Sequence, residues 1–262
     1  MGPHPVAFAP LARQDISGFS HLNEYFAQLG GVGLGKMMAL LNVYFQKMIK
    51  ICTSCGGDVI KFAGDALIVL WVNEPLAKLA HRACECALEL QDSLHDTEIT
   101  PEISLSLKVG VGLGSATMFY VGGHADRFEY FAAGPALKEC FSAADVAEKG
   151  DVIVASSVFE QVRDACQAER MQDGHYCVME MRQTFRKRAL NRVCTPALTP
   201  QALAVLRSYA PPVLLHASEL EKQLKQTVRS WTVSVVHASI IFIHFGIEGV
   251  MDLLALDSAK VQ

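Results

Sequence analysis

The sequence predicts a mixed domain of sheet and flanking helices, on three observations. Residues 56–72, GGDVIKFAGDALIVLWV, place two apolar runs around Ala63-Gly64-Asp65, the pattern of a β-hairpin with glycine at the sharp bend. Apolar residues recur at helical spacing on both sides of it, at Met37, Leu40, Leu41, Tyr44, Met48 and Ile51, and at Leu76, Leu79, Ala80, Ala83, Ala87, Leu88 and Leu90. Residues 103–113, ISLSLKVGVGL, alternate and then turn apolar, as a strand entering a core does. The chain has 262 residues, 51% of them apolar, which is enough for one large domain or one and a half.

Taken in order, residues 1–14 carry Pro3, Pro5 and Pro10. Proline lacks a ladder donor, so an edge or broken strand is expected before Asp15. Phe19, Leu22, Tyr25, Phe26 and Leu29 predict a helix over 18–29. Residues 30–36, GGVGLGK, resemble a phosphate loop, but Met37 follows the lysine and no buried strand precedes it. They are expected to form a flexible connection into a helix over 36–54. After the hairpin, Pro75 opens a helix reaching about residue 95, with His81 and His95 on its solvent side or at its cap. Residues 115–121 are expected to pair as a second strand with 103–113. Residues 151–154 form a short strand, 155–165 a helix with Ser156 as candidate cap, and 176–181 another strand. The basic stretch RQTFRKRALNR over 182–192 reads as a solvated loop or edge, and 196–228, broken by prolines, as linker.

The formal net charge of −4 argues against a nucleic-acid binder, which shows a basic stripe. No charged start with an apolar core and small-residue cleavage site is present, so no signal peptide is expected, and Val6 does not support myristoylation. Eight cysteines without a secretory signal read as reduced thiols in a cytoplasmic protein. Cys52 and Cys55 lack a second pair at finger spacing, so packing is the reading for them rather than metal. Residues 231–245, WTVSVVHASIIFIHF, are too short and too interrupted for a membrane span.

Two carboxylates draw attention. Asp65 sits at the hairpin tip, and a charge near a core needs a partner, commonly a cation. Asp15 lies in Asp15-Ile16-Ser17-Gly18-Phe19. Together, DISGF and KFAGDAL resemble the class III nucleotidyl cyclases, most of all the first catalytic homology domain of soluble, bicarbonate-regulated adenylyl cyclases. The resemblance spans about residues 14–200. It implies an α+β, ferredoxin-like cyclase homology domain, with a mostly antiparallel central sheet and outer helices. It divides the chain into a first homology domain over 1–195, a linker over 196–228 and a truncated start of a second homology domain over 229–262.

The family reaction is attack of a ribose 3′-hydroxyl on the α-phosphorus of ATP with loss of pyrophosphate. The resemblance implies two magnesium or manganese ions held by Asp15, Asp65 and the backbone carbonyl of Ile16. It also implies triphosphate oxygens on the backbone of Gly18, Phe19 and Ser20, at a helix start suited to anions. Lys61 falls in the pocket that binds bicarbonate in the soluble cyclases; a plain cross-strand ion pair is the competing reading. The arginine that assists there aligns with Phe141, which offers no fork to a planar anion, so bicarbonate stimulation is expected to be weak or absent.

In catalytic second halves of the family, the segment that starts at the final glycine of RFEYFAAG, Gly134, reads Gly-x-x-Val-Asn-x-Ala-x-Arg. Here Lys138 replaces the asparagine and Ser142 the arginine. The expectation is therefore the metal-supplying half of an adenylyl cyclase making cyclic AMP for intracellular signalling. ATP is its substrate, and a second cyclase homology domain, in trans or from a longer form, is its partner. The alternatives are a catalytically inactive regulatory or partner-binding module, a guanylyl cyclase, and a membrane protein anchored by 231–245.

Overall fold

In the computed structural model, the described residues are 4–17, 19–63, 66–100, 103–124, 127–183 and 199–210. Compactness divides the chain into units of Met1–Thr227 and Val228–Gln262; all of the second unit, including 231–245, lies outside the described residues, as do 184–198.

The first unit is built on strands β1 (His4–Ser17), β2 (Asp58–Ala63), β3 (Ala66–Leu70), β4 (Thr97–Thr100), β5 (Ile103–His124), β6 (Arg127–Ala133), β7 (Val152–Val154), β8 (Cys166–Arg170) and β9 (Tyr176–Met181). The sheet order is β2-β3-β1-β5-β7-β9-β8, with β4 and β6 also pairing with β5. All described pairings are antiparallel except β5 with β7. Helices α1 (Phe19–Gln28), α2 (Gly30–Ser54), α3 (Leu76–Leu94), α4 (Pro135–Val146), α5 (Ser156–Val162) and α6 (Pro200–Ser208) complete it. This is the expected α+β class.

The core explains why the apolar stripes fold as they do. Met37, Leu41, Tyr44 and Met48 of α2 are buried with Leu79, Ala80, Ala83, Ala87 and Leu90 of α3 and Leu105, Leu107 and Val109 of β5. Every residue of β3 is buried, in keeping with its unbroken apolar run. Helix α4 crosses β5 over Gly110 and Gly112. A Cβ at Gly110 would lie 2.3 Å from the Ala144 nitrogen, and one at Gly112 2.3 Å from the Cys140 nitrogen. Only glycine permits that approach.

The structure corrects five local expectations. Residues 30–36 are the first turns of α2, not a loop. Gly33 packs into the end of α1, where a Cβ would lie 2.1 Å from the Phe26 oxygen, so this glycine serves helix contact. Residues 115–121 continue β5 and pair with β6 instead of folding back on 103–113. Strand β1 is a single element with interior pairing: Leu11 to Gln14 have β3 on one side and β5 on the other. Its prolines at 5 and 10 precede the β3 pairing, where β1 has only β5 beside it, and its register shifts between Val6 and Ala9. His81 is buried, and its ring hydrogen-bonds with the backbone of Gln183 just beyond β9. Ala155, not Ser156, caps α5. His95 caps α3 as expected.

Candidate active site

Strands β1 and β3 run antiparallel with Gln14 opposite Leu67 and Arg13 opposite Ile68. Asp15 is the next residue of β1, and Asp65 precedes Leu67 by two. The C-terminal end of β1 and the N-terminal end of β3 are thus one end of one strand pair. Asp15 also pairs with Lys108 of β5, and Ile16 with Leu107. Asp65 and Gly64 lie outside the described residues, as does Gly18. Helix α1 starts at Phe19, so its first free amides are those of Phe19 and Ser20.

The hairpin that leads to residues 64 and 65 is anchored at several points. At its base Trp71, 1% exposed, donates from Nε1 to the Cys55 carbonyl at 3.3 Å, tying the end of β3 to the end of α2. Phe62 of β2 meets Phe45 of α2 edge-on at 5.2 Å. Tyr130 of β6 donates its hydroxyl to the Ile60 carbonyl at 2.8 Å.

Lys61 is exposed on β2 opposite Ile68. Beside it lies a pocket of about 70 Å³ whose other walls include Ile60, Ile68, Met118, Phe131 and Leu137. Phe141 packs against a buried cluster that includes Ile68, Leu70 and Cys140. A pocket with mainly apolar walls and an exposed lysine does not suit a small hydrophilic anion.

Helix α4 presents Lys138 and Ser142 on its exposed side. Leu113 N–H and the Ser157 hydroxyl both donate to Glu139 Oε2, which pins α4 to β5 and α5. Cys52, Cys55 and Cys86 are buried together. Hydrogen bonding with Cys52 and Cys55 that favours the protonated thiol, together with burial, pushes Cys86 well up, so it stays protonated. Among the described residues no group of three or more His, Cys, Asp or Glu side chains could hold a metal.

Residues 11–187 match the model of the adenylate and guanylate cyclase catalytic domain. The chain belongs to this family. Over 164 residues it is 29% identical to adenylate cyclase type 10 of Rattus norvegicus, covering 61% of this chain and 10% of that protein. It is 26% identical over 129 residues to adenylate cyclase 1 of Rhizobium meliloti, covering 47% of this chain and 19% of that protein. The match thus spans only a tenth to a fifth of these relatives' length. Among solved structures it resembles the adenylyl cyclase CyaB from P. aeruginosa, with a TM-score of 0.59 and 20% identity over 70% of this chain and 98% of that one. It also resembles the guanylate cyclase domain of RhGC from Catenaria anguillulae in complex with GTP, with a TM-score of 0.57 and 16% identity, covering 68% and 99%. These likenesses establish the class III cyclase fold. Among the described residues no helix is long and apolar enough to cross a membrane.

Proposed function

We propose that this domain is the metal-binding half of an adenylyl cyclase, converting ATP to cyclic AMP and pyrophosphate with a complementary second domain. The observation that carries the reading is the β1–β3 register, Gln14 opposite Leu67. It sets the strand ends that lead to Asp15 and Asp65 side by side. The relatives named as adenylate cyclases support the choice of ATP.

Asp15, Asp65 and the carbonyl of Ile16 would hold two magnesium or manganese ions, for which oxygen donors are the suitable set. Such ions supply charge stabilisation to the attacking and leaving oxygens. The first amides of α1, at Phe19 and Ser20 with Gly18 before them, offer donors to triphosphate oxygens. The chain's own part is to bind and orient the nucleotide phosphates. Lys138 and Ser142 lack the amide and the guanidinium that would stabilise the transferring phosphorus centre, so those groups come from the partner. On sequence grounds we read 229–262 as the opening of a second homology domain, and the site of action as the cytoplasm.

The exposed Lys138 and Ser142 also favour a second reading, a module that keeps the fold and regulates a partner without turnover. One assay separates the two. The chain is incubated with manganese and ATP, with and without a separate second catalytic domain carrying the asparagine and arginine. Cyclic AMP forms only in the mixture, and Asp65→Ala lowers the rate by about 100-fold or more, as loss of charge stabilisation at the reacting phosphate does. An unchanged rate for Asp65→Ala would remove the metal assignment, and an inactive mixture would leave the regulatory reading.

A further inference from the structure

Strand β2 is the outermost strand of its end of the sheet, with β3 as its sheet neighbour. Its register shifts between Val59 and Lys61: Val59 pairs with Val69 and Lys61 with Ile68. Ile60 is therefore the extra residue of a bulge. Bulges bend a strand and re-aim the residues beyond them. The residues beyond this one in β2 are Lys61, Phe62 and Ala63, and Gly64 and Asp65 follow in sequence.

A bulged residue on an outer strand loses part of its ladder support and needs support from elsewhere. The Ile60 carbonyl receives it from the Tyr130 hydroxyl, 70 residues away in sequence and 2.8 Å in space. Tyr130 is itself backed from behind. Its ring meets Tyr209, at the end of α6, with centroids 6.1 Å apart and planes at 64°. Tyr209 also contacts Phe128 of β6 at 5.9 Å. Two residues past the bulge, the Phe62 ring is held by Phe45 of α2. The strand is thus gripped at residue 60 by β6 and at residue 62 by α2, immediately before the tip.

We propose that Tyr130 is a positioning residue for the β2 arm of the hairpin: its hydroxyl fixes the Ile60 bulge and so sets the course of residues 61–63, which lead in sequence to Asp65. Tyr209 keeps the Tyr130 ring in place, which links the segment after the catalytic fold to the metal end of the sheet. The inference rests on the reading of Asp65 as a metal ligand. Tyr130 touches no reacting atom; it acts through the backbone of β2.

The test uses Tyr130→Phe in the full chain, which removes the hydroxyl and keeps the ring packed on Tyr209. Manganese binding is followed by electron paramagnetic resonance in the presence of a non-reacting ATP analogue, and amide exchange is followed over 58–63. The variant is expected to melt within a few degrees of the wild type, to bind manganese about fivefold more weakly, the equivalent of one net hydrogen bond, and to exchange faster over 58–63. A variant with Tyr209→Ala shows the same direction. Equal manganese affinity in wild type and Tyr130→Phe overturns the proposal, and so does unchanged exchange over 58–63. A wild type that takes up no manganese–nucleotide sinks the metal reading itself; the exchange data then still decide whether Tyr130 holds the bulge.

Discussion

His81 shows what one buried ring costs a helix that is otherwise standard. Burial lowers its pKa, an effect reinforced by Arg82 and only partly opposed by hydrogen bonding with the Gln183 backbone. A base whose folded pKa is depressed is protonated first in the unfolded chain. Stability is therefore full above the unfolded value near pH 6.5 and declines as pH falls from there towards the folded value. Urea melts at pH 7.5 and 5.5 are expected to show a loss for the wild type and a smaller loss for His81→Gln; equal losses would exclude His81 as the source. Glu74 behaves in the opposite range. Burial alone would raise its pKa, but hydrogen bonds from Lys78 and Arg82, each with a 3.1 Å contact, together hold it below the usual carboxylate range. Its contribution persists above that range and is lost only in stronger acid. The sequence showed His81 on a helix but not the chain that returns over it after β9, which is why its burial was not legible.

At the scale of elements, legibility followed the local signals. The β2–β3 hairpin, the α3 stripe and the Phe19 helix start were readable because a glycine turn or an apolar period marks each one. Strand β5 was not, since nothing in residues 103–124 marks where one partner strand ends and another begins: β1 pairs along it from Ser106 to Met118 and β6 takes over from Thr117. Likewise the motifs pointed to Asp15 and Asp65, whereas the Tyr130–Ile60 bond joins residues whose spacing carries no pattern. The glycines of β5 are the exception that can be tested directly. A Cβ at Gly110 would meet the Ala144 nitrogen at 2.3 Å and the Cys140 oxygen at 2.5 Å, both backbone atoms that cannot rotate away. Gly110→Ala must push α4 from the sheet, which is expected to cost about 1–3 kcal/mol in urea unfolding. Wild-type stability for this variant would mean that α4 slides without loss, and that the glycines are not what sets its distance from β5.

At the scale of the whole molecule, the proposed reading gives this chain one half of a cyclase pair, and it rests on what the β1–β3 end and helix α4 each carry. The β1–β3 end keeps both aspartates in sequence. Helix α4 keeps its packing through Cys140 and Ala144 but exposes Lys138 and Ser142 where amide and guanidinium would stand. The pocket next to Lys61 is lined by Leu137 of α4 with Ile60 and Ile68, and Phe141 packs against the same apolar cluster. Bringing bicarbonate there would strip water from an anion without returning a fork of donors, a net cost in an apolar site. The cyclic AMP rate of the chain mixed with a second catalytic domain is therefore expected to stay flat as bicarbonate is titrated at constant pH and ionic strength. Phe141→Arg supplies the missing donors and is expected to introduce a bicarbonate response. Strong stimulation of the unsubstituted mixture would show that Lys61 alone suffices to hold the anion, and that the apolar walls around it do not govern the pocket.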